Sequence, residues 1–284
     1  MISVITPVYN GVDFIRGCIQ NVIDQSCSEA EHVIVDGGSS DGTLDVIRRY
    51  AHRYPHIRWI SEKDHGQSDA MNKGITLAQG EIVGFLNVDD FYEPGVLNKV
   101  VMIFKDLPQP ALLVGNCNIW DSYGNLLSVN KPGKLRFEDL ILGPSINPFP
   151  VNPSAYFYHK ALHEKAGFYD VNEHYALDLD FLLRAVRVAV PYYKDETWGN
   201  YRRLKGTKSI TDVENGKAAL RLEGVLHKYW EQMPPRKRIW LAIQYALRSR
   251  LIVGVIYYLC NPQTLPVLRK RLGRMVGMRE HDER

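Results

Sequence analysis

The sequence predicts an α/β protein: a doubly wound sheet, parallel in its first part and mixed beyond it, flanked by helices and followed by a helical C-terminal extension. Three observations carry that expectation. Through the first hundred residues, short apolar runs alternate with amphipathic stretches of helical period. The connections between them are short, as they are where parallel strands are joined by crossover helices. After Pro110 the pattern becomes mixed, and the chain ends in a basic, aromatic-rich segment.

The elements follow in order. "ISVITPVYN" reads as a buried strand closing on a Pro-containing loop, and Val12 to Asp24 as an amphipathic helix. "EHVIVDGGSSDGT" is a second strand ending in a Gly/Ser loop, with a helix over Leu44 to Tyr50. "IRWISEKD" is a third strand, Gln67 to Ala78 a third helix, and "EIVGFLNVDD" a fourth strand. Glu93-Pro94 then has the look of a helix's first turn. "ALLVGNCNIWD" and "NLLSVNK" pair around Ser122-Tyr123-Gly124. "NPSAYFYHKALHEKAGFYD" is a strand and a helix, "HYALDLDFLLRAVRVAV" a helix with Asp178 and Asp180 in its first turn, and "PYYKDETWGNYRRL" a strand.

In doubly wound sheets, ligands bind outside the carboxyl ends of the strands. Thr6, Pro7 and Tyr9 follow the first strand; Asp36, Ser39 and Asp41 the second; Asp64 the third; Asp89 and Asp90 the fourth. Neither a GxGxxG nor a GxxxxGK[ST] loop is present. An acidic edge suits a nucleotide whose base and ribose donate hydrogen bonds, with a metal screening its diphosphate. Two adjacent carboxylates, Asp89 and Asp90, repel unless a cation arrives; the competing reading is a helix-capping loop. Asp41 in "SSDGT" is as readily a cap as a ligand.

The 284 residues suffice for one large domain with an appendage, and the hydrophobic (45%) and charged (24%) fractions are those of a globular protein. A net charge of +3 gives no argument for a nucleic-acid partner. Eleven Lys or Arg stand against three Asp or Glu from Pro235 to Arg284, so the positive charge is C-terminal. Cys18, Cys27, Cys117 and Cys260 lack CxxC spacing, which argues against a zinc site or disulfide framework and fits a reducing cytosol. The N-terminal residues show no signal-peptide pattern. The apolar stretch Ile239 to Cys260 is interrupted by Arg248 and Arg250, which weakens a transmembrane reading.

The pieces "ITPVYN", "VIVDGGSSDGT", "SEKDHGQSDAMNKGI", "GEIVGFLNVDD", "AGFYD" and "ALDLDFLLRA" together resemble the family 2 glycosyltransferases of GT-A fold, in order and over roughly residues 1 to 210. The tract "SEKDHGQSDAMNKGI" resembles members that build bacterial surface polysaccharides and O-antigens. The resemblance implies a Rossmann-like mixed sheet and an inverting, metal-dependent transfer from a nucleotide sugar. The expected organisation is a catalytic domain over 1–212, with a nucleotide-sugar half (1–110) and an acceptor half (111–212), and an extension over 213–284.

The resemblance also implies roles. Thr6, Pro7, Tyr9, Asp36, Asp64 and Asp89 would hold the donor nucleotide, a UDP- or dTDP-sugar by preference. Asp90, with Asp89, would ligate Mg²⁺ or Mn²⁺, and Asp178 would be the base that deprotonates the acceptor hydroxyl. Asp180, which is otherwise structural, and His65 and Asn152 are candidates for acceptor or donor-sugar contacts. The chain departs from the family pattern in three places: Leu177 where a Glu is frequent, Asn87 at the first acidic position of the metal motif, and Leu204 where an Arg-x-His tract places its His. Arg202 and Lys205 are the cations that would hold the diphosphate instead. His159 reads as a loop or capping residue.

The segment 235–284 reads either as amphipathic helices on anionic lipid or as a helical hairpin packed on protein. The first reading implies a cytoplasmic enzyme, peripheral on the inner face of the membrane, with a lipid-linked glycan as acceptor. A polyprenyl-phosphate acceptor and a non-catalytic nucleotide-sugar-binding scaffold are the alternatives, and a homo-oligomer stays open. A nucleotidyltransferase would bring a Gly-rich loop with Arg and Lys, absent here.

Overall fold

The computed structural model describes residues 1–173 and 175–249; His174 and most of the segment 235–284 lie outside them. The chain divides into two units, Met1–Glu231 and Gln232–Arg284.

The first unit opens with strand–helix alternation: β1 (Ile2–Val8), α1 (Val12–Asp24), β2 (Ala30–Asp36), α2 (Thr43–Arg53), β3 (Ile57–Ser61), α3 (Gln67–Leu77) and β4 (Ile82–Phe85). It continues through β5 (Phe91–Tyr92), α4 (Val96–Phe104), β6 (Ala111–Trp120), β7 (Leu126–Asn130) and α5 (Phe137–Leu140). A 3-10 turn at Pro153–Ala155 leads into β8 (Tyr156–His159), α6 (Leu162–Ala166), α7 (Leu177–Ala185) and β9 (Val190–Arg202). Helices α8 (Lys208–Glu214) and α9 (Lys217–Glu231) close it, and α10 (Pro235–Arg248) belongs to the second unit.

Among the described residues one nine-stranded sheet runs β3-β2-β1-β4-β8-β6-β9-β5, with β7 paired to β6. Strands β3, β2, β1 and β4 are parallel, β8 is antiparallel to both β4 and β6, and β6 and β9 are parallel. Alternation along the strands splits the apolar residues between two layers. Val33 and Val35 join Met71, Ile75, Phe181 and Leu182 on one face, whereas Ile34 joins Ile15, Ile19 and Ile47 on the other. Gly74 lets α3 lie on β1, because a Cβ there would collide with Ile5.

Three local expectations change. Helix α4 starts at Val96 rather than Glu93, because Gly95, at φ 73°, makes the turn into it. Glu93 instead accepts from Asn118 and Asn200 on β6 and β9. His159 is the buried last residue of β8, where Nδ1 accepts the Ala111 N–H at 3.0 Å. Residues 213–231, placed with the extension on sequence grounds, lie in the first unit. The reason is local: Lys228 and Tyr229 of α9 both reach buried Asp180 on α7.

Candidate active site

The parallel strands β1, β2, β3 and β4 deliver their following loops to one edge of the sheet. At the opposite edge, buried Glu31 accepts from Ser3, Gln79 N–H and Arg58. Burial opposes its charge, but these partners hold its carboxyl below the usual range. Glu31 is therefore a structural carboxylate, and it sets the standard against which the strand-end aspartates are judged.

Asp36, fully buried at the end of β2, accepts from Ser61 Oγ at 2.6 Å and from the N–H groups of Gly38 and Ser39. The β1 and β2 loops are laced together: Asn10 N–H donates to Ser39 Oγ, and Ser40 N–H to Asn10 Oδ1. Asp41 is a capping residue, receiving Thr43 N–H, Thr43 Oγ1 and Val12 N–H. The Asp64 carboxylate lies against Gly37, where a Cβ would meet it, and accepts Gly66 N–H at 2.9 Å.

Of the three residues assigned to the end of β1, only Tyr9 emerges, 65% exposed. Strand β1 runs to Val8, so Thr6 and Pro7 are buried in register with Ile34 and Val35. The Thr6 hydroxyl is spent on His32 Nε2 at 2.9 Å, beneath the sheet edge. It is thus placed away from the nucleotide contact expected of it.

Asp89 and Asp90 go opposite ways. Asp90 is 1% exposed. Its Oδ2 accepts from Asn152 Nδ2 at 2.8 Å and Asn87 Nδ2 at 3.0 Å, and its Oδ1 from Arg202 N–H at 3.1 Å. Burial, with the Asp89 charge adding to it, pushes its carboxyl up to about 7 against those three donors. Asp89 is half-buried, and among the described residues no other residue donates a hydrogen bond to its carboxylate. Burial raises its carboxyl too, with its own N–H and the Arg202 charge pulling the other way.

Arg202, at the end of β9, ties this loop together. Its backbone N–H holds Asp90, its Nε donates to the Asp89 carbonyl, and its guanidinium lies 5.7 Å from the ring centres of both Phe14 and Phe91. Gln67 Nε2 donates to Asn87 Oδ1 at 3.1 Å, joining the start of α3 to the same loop. Lys205 is exposed beyond β9. His65 is exposed, with its N–H on Asp69.

Asp178, half-buried in the first turn of α7, accepts the Tyr156 hydroxyl on Oδ1 at 2.6 Å. Burial raises its carboxyl to about 6, and the tyrosine hydroxyl works against that rise. Asp180, for which the sequence leaves both a structural and an acceptor-side role open, faces inward and is structural. It takes Arg184 on Oδ2 and Lys228 and Tyr229 on Oδ1, so it binds α7 to α9. Two positions on one helix point to different faces.

The metal expectation can be tested on the donor set. Among the described residues no group of three or more His, Cys, Asp or Glu could hold a cation alone. Asp90 has its oxygens committed, so the ligand assignment there does not fit the geometry. Asp89 does fit: Mg²⁺ is held by one or two carboxylates plus substrate phosphates and water rather than by a protein cage. Tyr156, Gln67 and Ser61 escaped the sequence reading. Ser61 ends β3 and was accessible to the strand-end rule; Tyr156 carries no sequence signal for a partner 22 positions away.

Comparison with known proteins adds relatives. The model of the family described as Glycosyl transferase family 2 matches residues 3–162, more than half of the chain. A glycosyltransferase of Bacillus subtilis, EpsJ, is 27% identical over 278 residues, covering 94% of this chain and 77% of its own. Three other curated relatives are longer, and the chain spans 19% to 33% of their length. Among solved structures, S. aureus TarS 1-349 in complex with UDP-GlcNAc superposes with a TM-score of 0.59 at 19% identity, over 73% of this chain and 60% of that one. A Pyrobaculum calidifontis mannosyltransferase in complex with GDP-Man and Mn²⁺ gives 0.60 at 20% identity, over 98% of this chain and 76% of the other. At these identities the likeness concerns the fold, which is GT-A.

Proposed function

The chain belongs to glycosyl transferase family 2, and on that premise we propose that it moves a sugar from a nucleoside-diphosphate sugar to an acceptor hydroxyl with inversion. The observation that carries the reading is the division of the aspartates. Asp90 and Asp180 are consumed by internal donors, which leaves Asp89 for a cation and Asp178 for a proton.

In this reading Tyr9 holds the base, Asp36 braces the Gly38–Ser39 loop beneath it, and Asp64 closes the pocket beside Gly37. Asp89 contributes the protein's carboxylate to a Mg²⁺ or Mn²⁺ site, and Arg202 and Lys205 supply positive charge for the diphosphate. A bound divalent cation would stabilise the charge that develops on that leaving group. Asp178 takes the acceptor's proton as its oxygen forms a bond to the anomeric carbon. The bond from that carbon to the phosphate oxygen breaks on the opposite side, and the electron pair leaves with the nucleoside diphosphate. A carboxyl lifted toward 6 is a stronger base than an exposed aspartate while still ionised at neutral pH.

The preferred donor is a UDP- or dTDP-sugar and the preferred acceptor a lipid-linked glycan in surface-polysaccharide synthesis. The relative that binds UDP-GlcNAc and the one that binds GDP-Man with Mn²⁺ support a nucleotide-sugar donor. Helix α10 supports a lipid-surface acceptor: it exposes Ile239, Trp240, Ile243 and Leu247, and its first turn carries Arg236, Lys237 and Arg238. No helix of the described residues is long and apolar enough to cross a membrane.

The test is calorimetric titration of UDP, dTDP and GDP with Mn²⁺ and with EDTA, followed by transfer assays that read the product's anomeric configuration. Manganese-dependent binding and an inverted product are expected. A folded chain that binds none of the three would overturn the reading. Flotation with anionic liposomes, with and without residues 235–284, tests the surface.

A further inference from the structure

Tyr156 is wholly buried at the start of β8, yet its hydroxyl is committed to Asp178 at 2.6 Å rather than to its own strand. Four residues earlier, Asn152 holds Asp90 at 2.8 Å. Between them Ser154 gives both its N–H and its hydroxyl to Asn152 Oδ1, which fixes the intervening turn. One five-residue stretch, "NPSAY", therefore grips a carboxylate of the donor loop at one end and the candidate base at the other.

We propose that Tyr156 is a positioning residue for the transfer: its hydroxyl fixes the Asp178 carboxylate through Oδ1, leaves Oδ2 to receive the acceptor proton, and registers that base against the Asn152–Asp90 contact. The proposal rests on the transferase reading above. Geometry favours it over simple packing. A tyrosine ring fills the same space without its hydroxyl, and a carboxylate on a first helical turn needs no tyrosine to be tolerated. The donated hydrogen bond restricts rotation about the Asp178 side chain, which keeps a proton acceptor aimed in one direction.

Among the described residues the groups facing Asp178 are few. From β8 come Tyr156 and Tyr158, and from the loop after α6 comes Tyr169. Tyr158 is occupied by His163 Nε2 at 2.9 Å. On α7 itself Asp180 and Arg184 are paired with one another and turned to α9 and α6. No cation among these partners competes with Tyr156 for the base.

The experiment compares wild type, Tyr156→Phe and the neighbouring control Tyr158→Phe in the full chain. The first readout is turnover of UDP-GlcNAc and GDP-Man with Mn²⁺, using water as acceptor. The second is carboxyl-carbon NMR titration of aspartate-labelled protein, with Asp178→Asn assigning the signal. Tyr156→Phe should move the Asp178 titration upward and lower kcat roughly tenfold with donor KM unchanged, the scale of one hydrogen bond to a charged group. Tyr158→Phe should change neither. Unchanged titration and kcat in a folded Tyr156→Phe, or equal losses in the two variants, would overturn the positioning role alone. A wild-type chain that turns over neither sugar and binds no nucleotide would overturn the transferase reading, and this proposal with it.

Discussion

Asn152 donates its side-chain amide to Asp90 Oδ2 at 2.8 Å across 62 positions of sequence, inside a pocket sealed from solvent. That contact binds the turn before β8 to the loop after β4. Replacing Asn152 with Ala leaves a buried carboxylate one donor short. The expected loss of stability is about 1.5–3 kcal/mol. Urea unfolding at pH 8 should show it, and a smaller loss is expected at pH 5.5, where Asp90, raised to about 7, is protonated.

The two adjacent aspartates should separate cleanly on mutation. Asp89→Asn keeps the fold, since among the described residues no other residue's hydrogen bond reaches its carboxylate, and should lose manganese-dependent nucleotide binding in calorimetry. Asp90→Asn turns an amide N–H toward Asn87, Asn152 or the Arg202 N–H, whichever way it is flipped. Thermal unfolding should report about 1–3 kcal/mol of destabilisation for Asp90→Asn. Equal melting temperatures for the two variants would contradict this division.

Asp178 makes a pH prediction whose sign follows from its environment. Its folded carboxyl is raised to about 6 from an ordinary 3.8, so the folded state binds the proton more tightly than the unfolded chain. Stability from this group is present at low pH and is lost as pH rises from about 4 through about 6, by about 3 kcal/mol at most. Asp178→Asn should remove that loss while abolishing transfer. Paired urea titrations from pH 4 to 8 check it. In wild type, turnover should climb about tenfold per pH unit below 6 and flatten above.

Gly199 of β9 sits over the same turn. A Cβ there would come within 2.7 Å of the Ser154 carbonyl carbon and 2.9 Å of the Ala155 nitrogen, both backbone atoms. Gly199→Ala should therefore push β9 from the 153–155 turn, costing about 1–3 kcal/mol and weakening nucleotide binding as well. Combined melting and calorimetry would detect both effects.

Much of the fold was legible because periodicity is local. The β1 to β4 alternation and helix α1 are written in consecutive residues, and the strand-end rule pointed to Asp36, Asp64 and Asp89 at one edge. What was not legible depends on distant partners. Nothing beside Asp90 announces that Asn152 and Arg202 consume its oxygens, so its pairing with Asp89 read as one shared cation site. Asp180 looked like a neighbour of the base; the lysine and tyrosine that claim it lie 48 and 49 positions on. Thr6 was misplaced by a three-residue error in the end of β1, which the paired register of Val8 with Asp36 corrects.

Arg202 closes the donor loop with its own backbone, 112 positions after Asp90. A nascent chain translated only through Asp90 has every strand of the parallel half and both loop aspartates, but neither Asn152 nor Arg202 to hold them. Non-local contacts of this span form late. Competence to bind a nucleotide is therefore a property that waits for residue 202 to emerge, well after the loops that follow β1 to β4 have left the exit tunnel.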